Sequence, residues 1–91
     1  MKIYIVYGCT GEYSDRQRWN VEAFKSLKKA NTFKNKLNNW LIENNASYGS
    51  INGKEEYFSL ENELICPFDP DFRFDYTGAK YDITEVELDE S

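Results

Sequence analysis

The chain has 91 residues, of which 16% are aromatic, a formal net charge of −5 and no histidine. That length supports one domain (1–91) around a single core, with roughly 60–65% of the unfolded surface buried on folding. Without an imidazole, Ser-His-Asp and Cys-His chemistry is excluded, together with the usual general base at neutral pH.

The opening MKIYIVYGC carries an apolar run too short for a signal peptide or a membrane span. With no export signal, the two cysteines, Cys9 and Cys66, read as reduced thiols in a cytoplasmic protein. Lys2 to Tyr7 is a strand by its β-branched and aromatic content, closed by Gly8. Tyr4 and Val6 face away from Ile3, Ile5 and Tyr7. As an outer apolar face, the Tyr4/Val6 pair leaves a homodimer open. Gly8 to Gln17 reads as a loop, long for a hairpin connection. Arg18 to Phe24 alternates, with Trp19, Val21 and Ala23 inward, and makes a second strand.

From Ser26 to Asn44 the apolar residues Leu27, Ala30, Phe33, Leu37, Trp40 and Leu41 recur at intervals of three and four. That spacing predicts a helix with one buried stripe and an outer face of lysines and Asn35 and Asn38. Ser26 is placed to cap its first turn, and Asn44-Asn45 marks its end. Asn52-Gly53 is a turn, and Glu55 to Leu64 is either a short helix or an irregular strand. Cys66 to Gly78 holds both prolines and reads as an ordered loop pinned by Phe68, Phe72, Phe74 and Tyr76. Tyr81 to Leu88 is the last strand, and a parity shift between Ile83 and Val86 predicts a β-bulge near Thr84-Glu85. The order β-β-α-β gives an α+β two-layer sandwich, an antiparallel sheet of three to four strands on one main helix.

The opening KIYIVYGCTGEYSD with Trp19 and Phe24, the pair Asp69-Pro70 with DYTG at Asp75 to Gly78, and Tyr81 with EVEL together resemble a group of small uncharacterised proteins. That group is encoded by bacteriophages, prophages and their bacterial hosts, and the resemblance spans nearly the whole chain. It implies a cytoplasmic, phage-associated protein and carries no activity with it. Its recurring polar positions fall here on Glu12, Tyr13, Ser14, Asp15, Asp75, Tyr76 and Thr77.

No residue pattern specifies an enzyme. Cys9 lacks an activating partner in sequence, and a carboxylate pair such as Asp15 with Asp75 is explained by chance among sixteen acids. GCTG at Gly8 to Gly11 lacks the lysine and the following helix of a phosphate loop. Asp69, Asp71 and Asp75 lie close in sequence, but Phe74 and Lys80 stand where a calcium loop needs glycine and glutamate. Two cysteines cannot complete a zinc site. The expectation is therefore no catalytic residue, no metal and no cofactor.

Charge is divided along the chain. Residues 1–50 hold eight Lys/Arg against four acids (+4), and residues 51–91 hold three against twelve (−9). An acidic half argues against direct nucleic-acid binding, and reads either as a plain solvated face or as a surface for a basic protein partner, such as a nucleic-acid-binding host protein. Tyr13 and Asp15 of the 8–17 loop, Trp19 of the second strand, and Asp71, Phe74, Asp75 and Tyr76 of the 66–78 loop are the candidate partner-binding residues. They combine acids with the aromatic types that carry interface energy. The expected role is occlusion of a host protein, for example a defence nuclease. The alternatives are a small-molecule or nucleotide-binding module formed by the same loops, or a self-associating structural protein.

Overall fold

The computed structural model describes residues 1–11, 16–47, 64–74 and 77–89. Four elements occur in the order β1 (Lys2–Thr10), β2 (Gln17–Phe24), α1 (Leu27–Glu43) and β3 (Ala79–Glu87). Among the described residues the strands form one antiparallel sheet of order β2-β1-β3, with α1 packed on one face. This is the α+β two-layer arrangement expected from the sequence. No helix among the described residues is long and apolar enough to cross a membrane.

The helix forms where its local signals place it. Ser26 holds extended backbone and its hydroxyl accepts from the Lys29 N–H, which satisfies one of the unpaired first-turn donors. At the other end Asn45 adopts a left-handed conformation (φ 56°). Its N–H donates to the Ile42 carbonyl, and the Ala46 N–H donates to that of Leu41. This pair of bonds is a Schellman closure, and it satisfies carbonyls that the helix leaves open. Ala30, Leu37 and Leu41 are buried, with Phe33 and Trp40 packed beside them. Leu27, expected inside, is 48% exposed because it precedes the first full turn over the sheet.

Three strand expectations are corrected. First, β1 does not close at Gly8 but runs on to Thr10, and this shortens the following loop. Gly8 pairs within the strand, and it suits glycine because Trp19 crosses its backbone: a Cβ there would collide with the indole. Second, β1 and β3 pair without interruption from Lys2↔Glu87 to Thr10↔Ala79, so no bulge exists at Thr84-Glu85. The irregularity lies between β1 and β2, where Val6 faces Glu22 but Tyr7 faces Asn20, leaving Val21 as the extra residue. That insertion reverses parity. Phe24 therefore packs inward with Tyr4, and Ala23 is exposed rather than inward.

Third, Tyr4 and Val6 belong to the core face and not to an outer one. Val6 is fully buried and Tyr4 packs on the core cluster with Val21, Phe24 and Ile83. The outer-face premise for a dimer through those two side chains therefore fails. Asn38, expected on the outer helix face, instead turns to β3. Its amide donates to the Tyr81 carbonyl (3.1 Å) and accepts from the Tyr81 N–H (3.0 Å). The Asn52-Gly53 turn and the undecided segment from Glu55 lie outside the described residues.

Candidate functional site

The candidate site is built on the segment 64–74, held over one end of the sheet. Its pivot is Asp69, which is 2% exposed. The turn begins where the Asp69 N–H donates to the Cys66 carbonyl (3.4 Å), and it closes where the Phe72 N–H donates to the Asp69 carbonyl (3.2 Å). Within the turn, Asp69 Oδ1 accepts from the Asp71 N–H at 3.1 Å, the Asx-turn bond that Asp makes two residues ahead.

The other carboxylate oxygen joins the turn to the core. Asp69 Oδ2 accepts from Trp19 Nε1 at 2.8 Å and from the Tyr81 hydroxyl at 2.7 Å. Trp19 comes from β2 and Tyr81 from β3, so one carboxylate ties both edge strands to the loop. The two rings meet edge to face, with centroids 6.2 Å apart and planes at 82°. Both are buried, and no buried side-chain polar atom among the described residues lacks a partner. Burial, followed by the hydrogen bond to and charge of Asp69, holds the Tyr81 hydroxyl well above the ordinary tyrosine pKa. Burial also pushes the Cys66 thiol up, which makes it a poor nucleophile.

Above this pivot the loop carries a row of aromatic rings. Phe72 stacks on Phe74 (5.4 Å, 16°) and meets the edge of Trp40 (5.1 Å, 85°). Lys36 lies 4.1 Å over the Phe68 ring, and the Arg73 guanidinium lies 5.4 Å over Trp19. Phe68, Phe72 and Phe74 all pack against the core cluster, as expected of rings that pin a loop.

Of the seven candidate residues, Asp71 is exposed at the turn, Phe74 is half-buried beside it and Trp19 is buried beneath. Trp19 thus supports the loop from below and offers little surface to a partner. Tyr13, Asp15, Asp75 and Tyr76 lie outside the described residues. The strand ends that lead into their loops do meet. The Thr10 hydroxyl donates to the Gly78 carbonyl (2.6 Å), and the Gly11 N–H donates to the Thr77 hydroxyl (3.1 Å). Gly11 and Gly78, both at φ 86°, turn the chain out of the sheet at that point.

Cys9 is buried, and its sulfur accepts from Arg16 Nε at 3.1 Å. Among the described residues no three His, Cys, Asp or Glu side chains converge as metal ligands.

Sequence reasoning missed the two residues that organise the site. In the sequence Asp69 reads as a rejected calcium ligand and as part of the Asp69-Pro70 pair, and Tyr81 as the start of a strand and of the closing motif. The available signal was an acid inside an aromatic segment, where a buried carboxylate requires ring N–H and O–H donors. Compared with protein-family models, curated proteins and solved structures, the chain matches none of them.

Proposed function

We propose that the protein is a non-catalytic, cytoplasmic, phage-type protein that binds a basic host protein through the 64–74 loop. The observation that carries this reading is the contrast between Asp69 and Asp71. Asp69 is buried and fully hydrogen-bonded, and it thereby fixes the turn from which Asp71 projects into solvent. A backbone fixed at Asp71 by its bond to Asp69 leaves only the side chain to be ordered on binding, and preordering of that kind favours affinity. Beside it stand the half-buried Phe72 and Phe74, a fitting apolar neighbour for a charged contact. The sequence charge of −9 over residues 51–91 favours a basic partner. Inhibition of a defence nuclease by occlusion is one concrete form of such binding.

The test is affinity capture from bacterial lysate with the wild type and with Asp71→Lys, at low and high salt. One dominant basic protein held by the wild type, depleted about tenfold by Asp71→Lys and weakened by salt, is the expected result. Retention of the same protein by Asp71→Lys overturns the reading, as does the lack of any protein captured above background.

A further inference from the structure

A groove of about 570 Å³ runs between β2 and the first half of α1. Phe24 and Phe33 form its floor, with ring centroids 5.6 Å apart. Lys28, Lys29 and Lys36 stand on its rim, with Glu22 as the one acid. Among the described residues neither Lys28 nor Lys29 forms an ion pair, so the groove joins an apolar floor to uncompensated positive charge.

The complementary surface belongs to the same chain. From Glu85 to Asp89 acids alternate with Val86 and Leu88, and Leu88 is 40% exposed. Glu85 pairs with Lys2 at 3.6 Å and Glu87 with the Met1 ammonium at 3.4 Å, both at exposed sites. Exposed pairs of this kind contribute about 0–1 kcal/mol, so exchanging them for a new cation costs little.

We propose that the lysine-rimmed groove of one copy receives the Glu85–Asp89 segment of a second copy, with Leu88 on the Phe24/Phe33 floor. Groove and segment are different surfaces of one molecule. The contact is therefore heterologous, and it propagates head to tail unless rotation closes a ring.

Sedimentation velocity from about 10 µM to about 1 mM tests this, since weak heterologous contacts populate only at the upper end. At low salt the weight-average size should grow with concentration, and at about 1 M salt it should fall back toward the monomer, because screening removes exposed charge contacts. Lys28→Gln/Lys29→Gln and Glu85→Gln/Glu87→Gln should each remain monomeric. An equimolar mixture of the two should form a 1:1 dimer and nothing larger, because each partner keeps only one competent end. A monomer at every concentration in low salt overturns the proposal. So does an assembly that persists in both variants, which would point instead to the outer sheet residues Ile3, Ile5 and Tyr7.

Discussion

The two ends of the helix layer are ordered by opposite means. Near its C-terminal end, order comes from the inside: Asp69, Trp19 and Tyr81 are buried and mutually hydrogen-bonded, and Asn45 closes the helix against the core. Near its N-terminal end, beside the Phe24/Phe33 contact, the cap is a single hydrogen bond accepted by the Ser26 hydroxyl, while Lys28 and Lys29 crowd the positive end of the helix dipole. A buried polar network tolerates no lost member, whereas an exposed charged end can be changed cheaply. The first end should therefore fail abruptly on mutation and the second should adjust.

The sharpest break is Asp69→Ala, which strands the Trp19 and Tyr81 donors in the core. It should cost about 2–4 kcal/mol in urea unfolding and raise amide exchange in 64–74 before the helix. Gly8→Ala comes next: the added methyl collides with the Trp19 indole and should cost about 1–3 kcal/mol by overpacking. A full-strength Gly8→Ala variant would refute the crossing of Trp19 over that strand.

Alkaline titration probes the same end. Cys66 and Tyr81 both have folded pKa values raised above their unfolded values of 9.0 and 10.0. Above those values the unfolded chain gives up protons that the folded one keeps, so stability falls with rising pH. The loss begins near pH 9 and steepens past pH 10, by about 1.4 kcal/mol per pH unit for each such group. Tyr81→Phe should flatten the portion above pH 10.

At the other end the effects shrink. Ser26→Ala should cost about 1 kcal/mol. Lys28→Glu should stabilise the helix by about 0.3–1 kcal/mol, because an acid suits the dipole there. A destabilised Lys28→Glu would show that the lysines are held by contacts the exposed end is not thought to make.

The same contrast separates what could be read in the sequence from what could not. The helix was legible almost to the residue, since Ser26, the apolar spacing and Asn44-Asn45 act through neighbours a few positions away. Strand faces were harder. Ile83 packs under the helix while Val86 lies beside Ile3 on the outer face, so an apolar parity change in β3 records two apolar faces and not a bulge. The true irregularity at Val21 falls in a stretch that alternates perfectly and leaves no trace in the pattern. Asp71 and Phe74 stand out in the sequence as an acid and a ring in one loop, and the structure leaves the first exposed and the second half-buried. The Asp69 pivot was not, since its bonds to Trp19 and Tyr81 span 50 and 12 residues and exist only once the chain has folded.

Asn38 has a bearing on how the sheet meets other chains. Among the described residues, pairing β3 with β1 leaves the alternate backbone groups of β3 without a further strand, the kind of edge on which a foreign strand can add. At Ala79 that place is taken by the Ala46 carbonyl, and at Tyr81 both outward groups are taken by the Asn38 side chain. A single amide thus impersonates one residue of a neighbouring strand and denies that position to templated growth. The guard stops short of Glu85, where alternating carboxylates take over by charge. The first half of β3 is thus shielded by hydrogen bonding, and the last part meets a like-charged strand with repulsion.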